Sequence, residues 1–277
     1  MKELREPMAL LGAALLSLLV LVAVLAPVLA PYDPRDAVGP SLQAPTFAHL
    51  LGTNDLGQDI FSQILWGTRP SLLVGVGAAT VAVGVGIAVG VGAGLRGGLA
   101  DAVAMRVVDV FLALPVLPLL VLIAALVGAG RATLVLVIGL VRWPEVARMT
   151  RGQTLSLRCR GYVEASRGFG GGLGYVVRRH LLPALGPLIT SSFVNVGAIA
   201  VLMEAGLAFL GLGDTTVISW GLMLNRALLF PGLYYSALWT WWVLPAGFAI
   251  SLAVLGFTFL GVGLEPRFNP GWRRTNL

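Results

Sequence analysis

The chain has 277 residues, of which 57% are hydrophobic and only 12% are charged. Because a water-soluble domain carries about a quarter charged residues, the composition excludes a soluble globular protein and predicts an all-α, polytopic membrane protein. A net charge of +6 is also typical of proteins that bind nucleic acid. Here, however, the positive residues lie in loops beside apolar stretches, as the positive-inside bias requires, so the expected surroundings are a lipid bilayer and no nucleic acid.

The scarcity of cysteine, histidine and lysine limits the chemistry of the chain. Cys159 is the one cysteine, so an intrachain disulfide is impossible and a thiolate metal site is not expected. Only His49 and His180 offer imidazole groups, and the topology predicted below separates them. Lys2 is the single lysine, which excludes a phosphate loop of the G-x-x-x-x-G-K-[ST] kind. We expect no metal and no cofactor on this chain, so any ATP must be bound by another subunit.

The first apolar stretch covers residues 8–30 and is long enough to cross a hydrocarbon layer of about 30 Å. Val28, Leu29 and Ala30 resemble a loose signal-peptide cleavage site. The apolar core would be unusually long for a signal peptide, however. We therefore expect residues 1–30 to be a retained transmembrane helix.

Residues 31–70 are more polar and are predicted to form an extracytoplasmic segment that packs on the bundle. Asn54 and Asp55 are candidate caps for a short helix with an apolar face. Asp55 and Asp59 resemble part of a metal-binding loop, but the neighbouring residues supply too few oxygen ligands for a calcium site. A structural cap is therefore the favoured interpretation.

Three apolar stretches follow. Residues 71–95 alternate glycine with valine and alanine, and glycines four residues apart allow helix backbones to approach closely in lipid. After a polar link at 96–106, residues 107–129 form a third span that two prolines interrupt. Residues 132–149 form a fourth, shorter span.

Charged residues in these spans need partners. Asp109 lies close to Arg106 in the sequence, and we expect the two to neutralise one another at the membrane interface. Glu145 is at helical spacing from both Arg142 and Arg148, so a pair with either arginine would make its burial tolerable.

The fifth span covers residues 188–211, a mixed segment follows at 213–233, and the sixth span lies within 234–264. The fifth span carries two polar residues, Asn195 and Glu204, which are candidates for a translocation pathway if the protein carries a solute across the membrane. In that case Glu204 would meet a cationic group of the cargo; otherwise it would pair with a neighbouring helix. The second, structural interpretation is favoured because intramembrane carboxylates usually find partners.

Six spans place both termini on one side, and positive charge decides which side this is. The positive residues on that side are Lys2, Arg5, Arg96, Arg106, the run from Arg148 to Arg179, Arg267, Arg273 and Arg274. The other side holds only Arg35, Arg69, Arg131 and Arg226. This asymmetry predicts that the N- and C-termini and the polar stretch between spans four and five are cytoplasmic.

This polar stretch, residues 162–187, has a distinctive pattern. Its landmarks in order are Glu164, Ala165, Ser166, Gly170, His180, Leu182 and Pro183. Gly170 permits a turn with positive φ between two short helical pieces, and Pro183 stops or kinks the helix that follows. Such a helix-turn-helix suits the groove of a partner protein. An ordinary charged loop between spans would show much of the same pattern.

At its usual spacing the same pattern resembles the EAA motif of binding-protein-dependent ABC importer permeases. The resemblance sharpens to the C-subunit type of the dipeptide, oligopeptide and nickel permeases, and it covers most of the chain after about residue 45. The supporting stretches are His49–Ser62, Met105–Asp109 with Pro115, Glu204–Gly213 and Trp220–Leu224.

The resemblance implies a type I importer permease with six transmembrane helices in the cell (inner) membrane. It also implies a homologous permease partner, two ATP-binding subunits that hold ATP and Mg, and an extracytoplasmic binding protein. The EAA loop, about residues 155–187 within a permease core at 71–264, would dock on the ATPase and couple it to transport. Residues 265–277 would form a cytoplasmic tail. The cargo stays open between peptides, nickel complexes, glutathione and glycosides.

Two departures from the family pattern matter. The hinge residue Gly170 begins a glycine run that also contains Gly171, Gly172 and Gly174. Because glycine destabilises helices, this run predicts a second helical piece that begins late or is looser. The C-terminal tail of the family usually has a stretch of acidic residues and arginine before an Asp-Pro-Arg sequence. This chain lacks that stretch and continues directly from Leu264 to Glu265, Pro266 and Arg267. A different class of function also stays open: a stand-alone secondary transporter would use Glu204, Glu145 or Asp109 as ion relays. A membrane-anchored enzyme is disfavoured because no catalytic constellation is visible.

Overall fold

A computed structural model describes residues 5–128 and 130–268. Within this part of the chain every regular element is helical, and β-structure is limited to isolated bridges between Ala37 and Gln58 and between Thr53 and Asp59. The predicted all-α fold is therefore confirmed.

The first half of the chain forms five helices of 12 residues or more. They are α1 (Arg5–Leu29), α2 (Ile60–Arg96), α3 (Gly98–Ala113), α4 (Val116–Val127) and α5 (Arg131–Arg158). The second half alternates long and short elements. They are α6 (Gly161–Gly168), α7 (Leu173–Val176), a π-turn (Val177–Leu181), α8 (Leu182–Phe209), α9 (Trp220–Leu229), a 3₁₀ turn (Leu233–Tyr235), α10 (Trp239–Trp242) and α11 (Leu244–Phe268).

Four of the described helical stretches are long and apolar enough to cross a membrane, namely α1, α2, α7 with α8, and α10 with α11. The pair α3 and α4, bent by 86° at its break, makes a fifth if it is counted as one span. Helix α5 is long enough, but charged residues interrupt its apolar sequence: Arg142, Glu145, Arg148 and Arg151. The predicted number of six is therefore not established by length and hydropathy, and it stays a prediction.

Glycine contacts give the direction of α5 relative to α2. A Cβ atom added to Gly86 would lie 2.6 Å from the Cβ atom of Val146, and one added to Gly94 would lie 2.9 Å from that of Thr154. The contacts advance together along both helices, so α2 and α5 are parallel. Because α2 and α5 run in the same direction, the chain between them must return to the end where α2 began, and α3 and α4 form this return path. The predicted close packing of the glycine-rich stretch is also confirmed.

The other long helices run in alternating directions. Gly75 of α2 packs on Val201 of α8, whereas Val91 lies in the same buried cluster as Leu185, so α2 and α8 are antiparallel. Corresponding contacts make α11 antiparallel to α8, and α1 antiparallel to α11; the contacting pairs are Gly197 with Phe257, Gly261 with Val194, Gly12 with Leu260 and Gly256 with Leu16.

These directions define two ends of the bundle. The loop end holds the beginning of α1, the end of α2, the connection from α5 to α7 and the end of α11. The far end holds the end of α1, the beginnings of α2 and α5, the end of α8 and the beginning of α11. Both ends of the described chain therefore lie at the same end of the bundle as the polar stretch, which is the arrangement that an even number of crossings produces.

The expected cap at Asn54 or Asp55 is wrong. Asp59 is the N-cap of α2, and its Oδ2 accepts hydrogen bonds from the Ser62 amide at 2.8 Å and from the Ser62 hydroxyl at 2.7 Å. The other carboxylate oxygen of Asp59 lies 3.0 Å from Nδ1 of the buried His49. The short helix that we expected is the beginning of α2, which continues without a break into the span.

Two further expectations about the third span need correction. The chain between spans two and three is not a polar link over 96–106, because α3 begins at Gly98 directly after Gly97, whose φ of 64° turns the chain. Asp109 binds Arg148 of α5 at 2.5 Å rather than Arg106. The reason is that α3 packs against α5 and presents Asp109 to that helix.

Candidate functional site

The connection from α5 to α7 forms a helix, a tight turn and a second helix. Helix α6 ends at Gly168, and Gly170 has a φ of +86°. The Gly170 amide donates a hydrogen bond to the Arg167 carbonyl at 3.0 Å, which closes the turn. The two helical pieces and the glycine hinge that the sequence predicts are therefore present.

A small buried cluster fixes this connection to the bundle. Val163 of α6, Val176 of α7 and Leu181 of the π-turn have no exposed surface, and they pack with the buried Val91 of α2 and Leu185 of α8. Val163 is the one buried residue of α6. Our sequence reasoning missed this anchor, although an isolated valine among polar and small residues was a usable signal.

Two glycines of the glycine run are required by geometry. Gly170 has a positive φ, and Gly171 lies against Ser166: its amide donates to the Ser166 carbonyl at 2.9 Å, and an added Cβ atom would lie 2.6 Å from that oxygen. Gly172 is the N-cap of α7, and Gly174 has open space around it. The second helical piece therefore begins late, as expected, because the turn itself consumes three glycines.

The predicted coupling residues are distributed over this surface. Glu164 and Ala165 are exposed on α6, and Ser166 is half-buried. His180 is half-buried between two aromatic rings, with centroid distances of 5.6 Å to Tyr162 and 5.9 Å to Tyr175. His180 thus joins α6 to the second helical piece.

The sequence pattern predicts that Pro183 stops or kinks the helix, and of these two effects the stop is wrong. The helix does not stop there, since a continuous helical stretch runs from Leu173 to Phe209. Leu182 instead closes the π-turn by donating its amide to the Val177 carbonyl. Proline lacks an amide hydrogen and its ring clashes with the carbonyl four residues earlier, here that of Arg179. A wider turn just before Pro183 removes this conflict. Leu182 is half-buried and Pro183 is exposed.

An aromatic face, formed by the rings of Tyr162, Phe169 and Tyr175 together with Leu173, flanks the hinge in the sequence. Phe169 is 93% exposed, and the other three side chains are about half exposed. Exposed aromatic residues beside charged ones are typical of protein interfaces. Sequence reasoning did not single out these four residues, because their exposure depends on how α6 and α7 fold against the bundle.

A groove of about 520 Å³ lies between α5, α8 and α11 and contains Asn195. Its other polar lining residues are Glu145, Ser191, Ser192 and Thr258. Glu145 is paired with Arg142 at 2.6 Å, which confirms one of the two expected partners.

Glu204 does not line this groove. It is only 4% exposed, and its Oε2 accepts a hydrogen bond at 3.1 Å from the Ser71 hydroxyl of α2. The carboxylate therefore joins α8 to α2 inside the bundle near the far end. This environment favours the structural interpretation of Glu204 over a role in the pathway.

Two ion pairs fix α3 to α5. Asp101 binds Arg151 through both carboxylate oxygens at 2.5 and 2.6 Å, and Asp109 binds Arg148. At the last residue of α5, Arg158 Nη1 donates a hydrogen bond to the Gly94 carbonyl of α2 at 2.8 Å. The end of α5 that enters the connection is therefore held by two neighbouring helices.

Comparison with known sequences identifies the family. Residues 86–274 match the binding-protein-dependent transport system inner membrane component, and residues 4–45 match the N-terminal TM domain of oligopeptide transport permease C. The first match covers more than half of the chain and includes α5 to α8. The chain belongs to this family. The second match includes most of α1.

Relatives of this permease align over nearly its whole length. A protein of Brucella suis biovar 1 that is named as a peptide permease is 40% identical over 96% of this chain and 88% of the relative. The dipeptide transport system permease protein DppC of Bacillus subtilis is 36% identical over 98% of this chain and 84% of the relative. The oligopeptide transport system permease protein OppC of Bacillus subtilis is 33% identical over 96% and 87%.

The family defines the class of function. The chain is a membrane permease component of a binding-protein-dependent importer, and it crosses the membrane several times. The alternative of a stand-alone secondary transporter is not supported by any of these similarities.

Proposed function

We propose that this permease forms one half of the translocation pathway of an ATP-driven importer. A homologous permease supplies the other half, two ATP-binding subunits attach at the loop end, and an extracytoplasmic binding protein delivers cargo at the far end. The described residues of a single chain line an open groove of about 520 Å³ along α5, α8 and α11, which needs a second subunit to become a closed path.

The loop end is the cytoplasmic side in this proposal. The two ends differ in positive charge, since the connection around α6 alone carries Arg158, Arg160, Arg167, Arg178 and Arg179. The positive-inside bias therefore assigns both termini and this connection to the cytoplasm of the cell (inner) membrane. With this orientation α5 makes a sixth crossing, since it is parallel to α2.

Helix α6 and the hinge dock in a groove of the ATP-binding subunit. The observation that carries this assignment is the contrast between a fully buried anchor, Val163, and the exposed aromatic face on both sides of Gly170 in the sequence. Glu164, Ala165 and Ser166 lie on the docking helix, and Gly170 sets its angle. Movement of the ATPase then displaces a rigid element rather than a flexible loop.

The remaining predicted residues support this element rather than contact the ATPase. His180 holds α6 against the second helical piece through its two aromatic neighbours, while Leu182 and Pro183 connect that piece to α8. In the membrane, Asn195 lines the path, and Glu204 holds α8 to α2.

Catalysis belongs to the partner subunits in this proposal. ATP and Mg bind to the two ATP-binding subunits, whereas this permease binds no cofactor of its own and is not an enzyme. The cargo is a dipeptide or oligopeptide, an assignment that is supported by the names of the relatives.

The test compares two glycine variants of the complete importer in proteoliposomes. Gly170→Ala places a side chain at a φ of +86°, which costs about 1–2 kcal/mol and should uncouple ATP hydrolysis from peptide uptake. Gly174→Ala, in open space, should leave uptake unchanged. Both variants should insert and assemble normally. Equal uptake by Gly170→Ala and by the wild type would contradict the proposed coupling role.

A further inference from the structure

A pocket of about 370 Å³ at the far end of the bundle concentrates positive charge. Its ionisable lining residues are Asp33, Arg35, Arg69 and Arg131. Pro34, Trp66, Pro70, Val217 and Ile218 form its remaining walls. Three of the four positive residues that the charge pattern assigns to this side of the membrane thus line one pocket, although they lie on three separate segments of the chain.

Backbone carbonyl groups hold two of these guanidinium groups in place without neutralising them. Arg35 Nη2 donates to the Thr216 carbonyl at 2.5 Å, and Arg69 donates to the carbonyls of Ala23 and Val24 on α1. Among the described residues, neither arginine has a carboxylate oxygen within 4.0 Å of its side-chain nitrogens. Their charges are therefore fixed in position and available.

The acceptor for Arg69 exists because of a proline. Pro27 lies inside α1 and has no amide hydrogen, so the carbonyl four residues earlier, that of Ala23, loses its helical partner. The Arg69 side chain donates to this free carbonyl and also lies over the Trp66 ring, with Cζ 4.9 Å from the ring centroid. Arg69 therefore has a structural role that ties α1 to α2, in addition to its charge.

The third guanidinium group is only weakly compensated. The Arg131 Nε atom lies 3.8 Å from Asp214 Oδ2, and the Arg131 side chain is 51% exposed. Exposed ion pairs of this kind contribute little free energy. Together, three guanidinium groups face the two carboxylates of Asp33 and Asp214, so the pocket carries a net positive charge.

We propose that this pocket docks an acidic side chain, aspartate or glutamate, of the extracytoplasmic binding protein. The proposal rests on the importer function proposed above. Helix α2 has 37 residues, so its length of about 55 Å exceeds a hydrocarbon layer of about 30 Å. Its first turns lie at the far end, which the orientation proposed above places outside the cytoplasm, and together with the walls from residues 33–35 and 217–218 they face the space from which a soluble partner arrives. Charge complementarity then steers and orients the partner.

The test measures binding of the purified, fluorescently labelled binding protein of this importer to the complete importer in lipid nanodiscs. Arg35→Gln and Arg131→Gln should each weaken binding about threefold, and the double variant about tenfold, with a smaller dependence on salt. Arg35→Lys should retain most of the binding. Asp33→Asn should strengthen binding about twofold, because it removes one of the two negative charges at the pocket.

Arg226→Gln is the matched control, since Arg226 lies at the same end on α9 but does not line the pocket. It should bind like the wild type. Equal binding by the wild type and by the double variant overturns the docking site while the importer function stands. A loss seen only in nanodiscs that contain phosphatidylglycerol also overturns it, because the pocket would then hold a lipid phosphate. If the wild-type importer does not bind the protein at all, the importer function and the docking site both fall.

Discussion

Replacing the anchor of α6 tests whether a rigid connection is needed for coupling. Val163→Ala removes two methyl groups from a side chain with no exposed surface, within the cluster that contains Val176, Leu181 and Leu185. Each buried methyl group is worth about 0.8 kcal/mol, and the remaining cavity adds to the loss, so the docked connection should lose about 2 kcal/mol. Because 1.4 kcal/mol corresponds to a factor of ten, the undocked population should rise about thirtyfold.

Amide hydrogen exchange and uptake provide the two measurements. In the importer reconstituted in nanodiscs, the amides of α6 should exchange about thirtyfold faster, whereas those of the α2 interior should be unchanged. ATP-driven uptake should fall more than ATP hydrolysis. Val103→Ala is the control, because Val103 is 55% exposed on α3. Unchanged exchange in α6, or a uniform increase over all helices, would refute the idea that Val163 anchors this connection locally.

Three further changes have defined outcomes. Gly171→Ala forces a Cβ atom against the Ser166 carbonyl, so thermal stability and uptake should fall, whereas Gly174→Ala should be silent in both assays. Asp101→Arg should weaken the attachment of α3 by up to about 1 kcal/mol, and the double variant with Arg151→Asp should restore thermal stability. Glu204→Gln keeps an acceptor for the hydrogen bond from Ser71, so this variant should transport normally. Glu204→Leu loses the acceptor and should lower the free energy of unfolding by about 1 kcal/mol. A transport defect in Glu204→Gln would instead indicate a pathway role.

Local chemistry made parts of the site predictable. Only glycine adopts a positive φ at little cost, so the hinge at Gly170 was visible in the sequence. The pair between Arg142 and Glu145 was also predictable, because residues three apart on a helix are neighbours.

Contacts between distant segments were not predictable in the same way. Asp109 has an arginine at helical spacing, Arg106, yet it binds Arg148, which lies 39 residues away. The choice is made by the packing of α3 on α5, which sequence spacing does not encode. Pro183 illustrates a second limit: the local rule predicts a helix stop or a kink, but the helix continues because a π-turn that ends at Leu181 accommodates the ring.

The parallel pair of α2 and α5 has a mechanical consequence. An added Cβ atom at Gly86, Gly90 or Gly94 would overlap α5, so the two helices meet with no flexible side chain between them. The pair should therefore tilt as one stiff lever, with the ATPase docking helix attached at one end and the basic pocket at the other. For a lever of about 55 Å, a tilt of about 5° at the loop end moves the far end by about 5 Å. The rigid pair of α2 and α5 would thus transmit a conformational change of the ATPase to the side on which the binding protein docks.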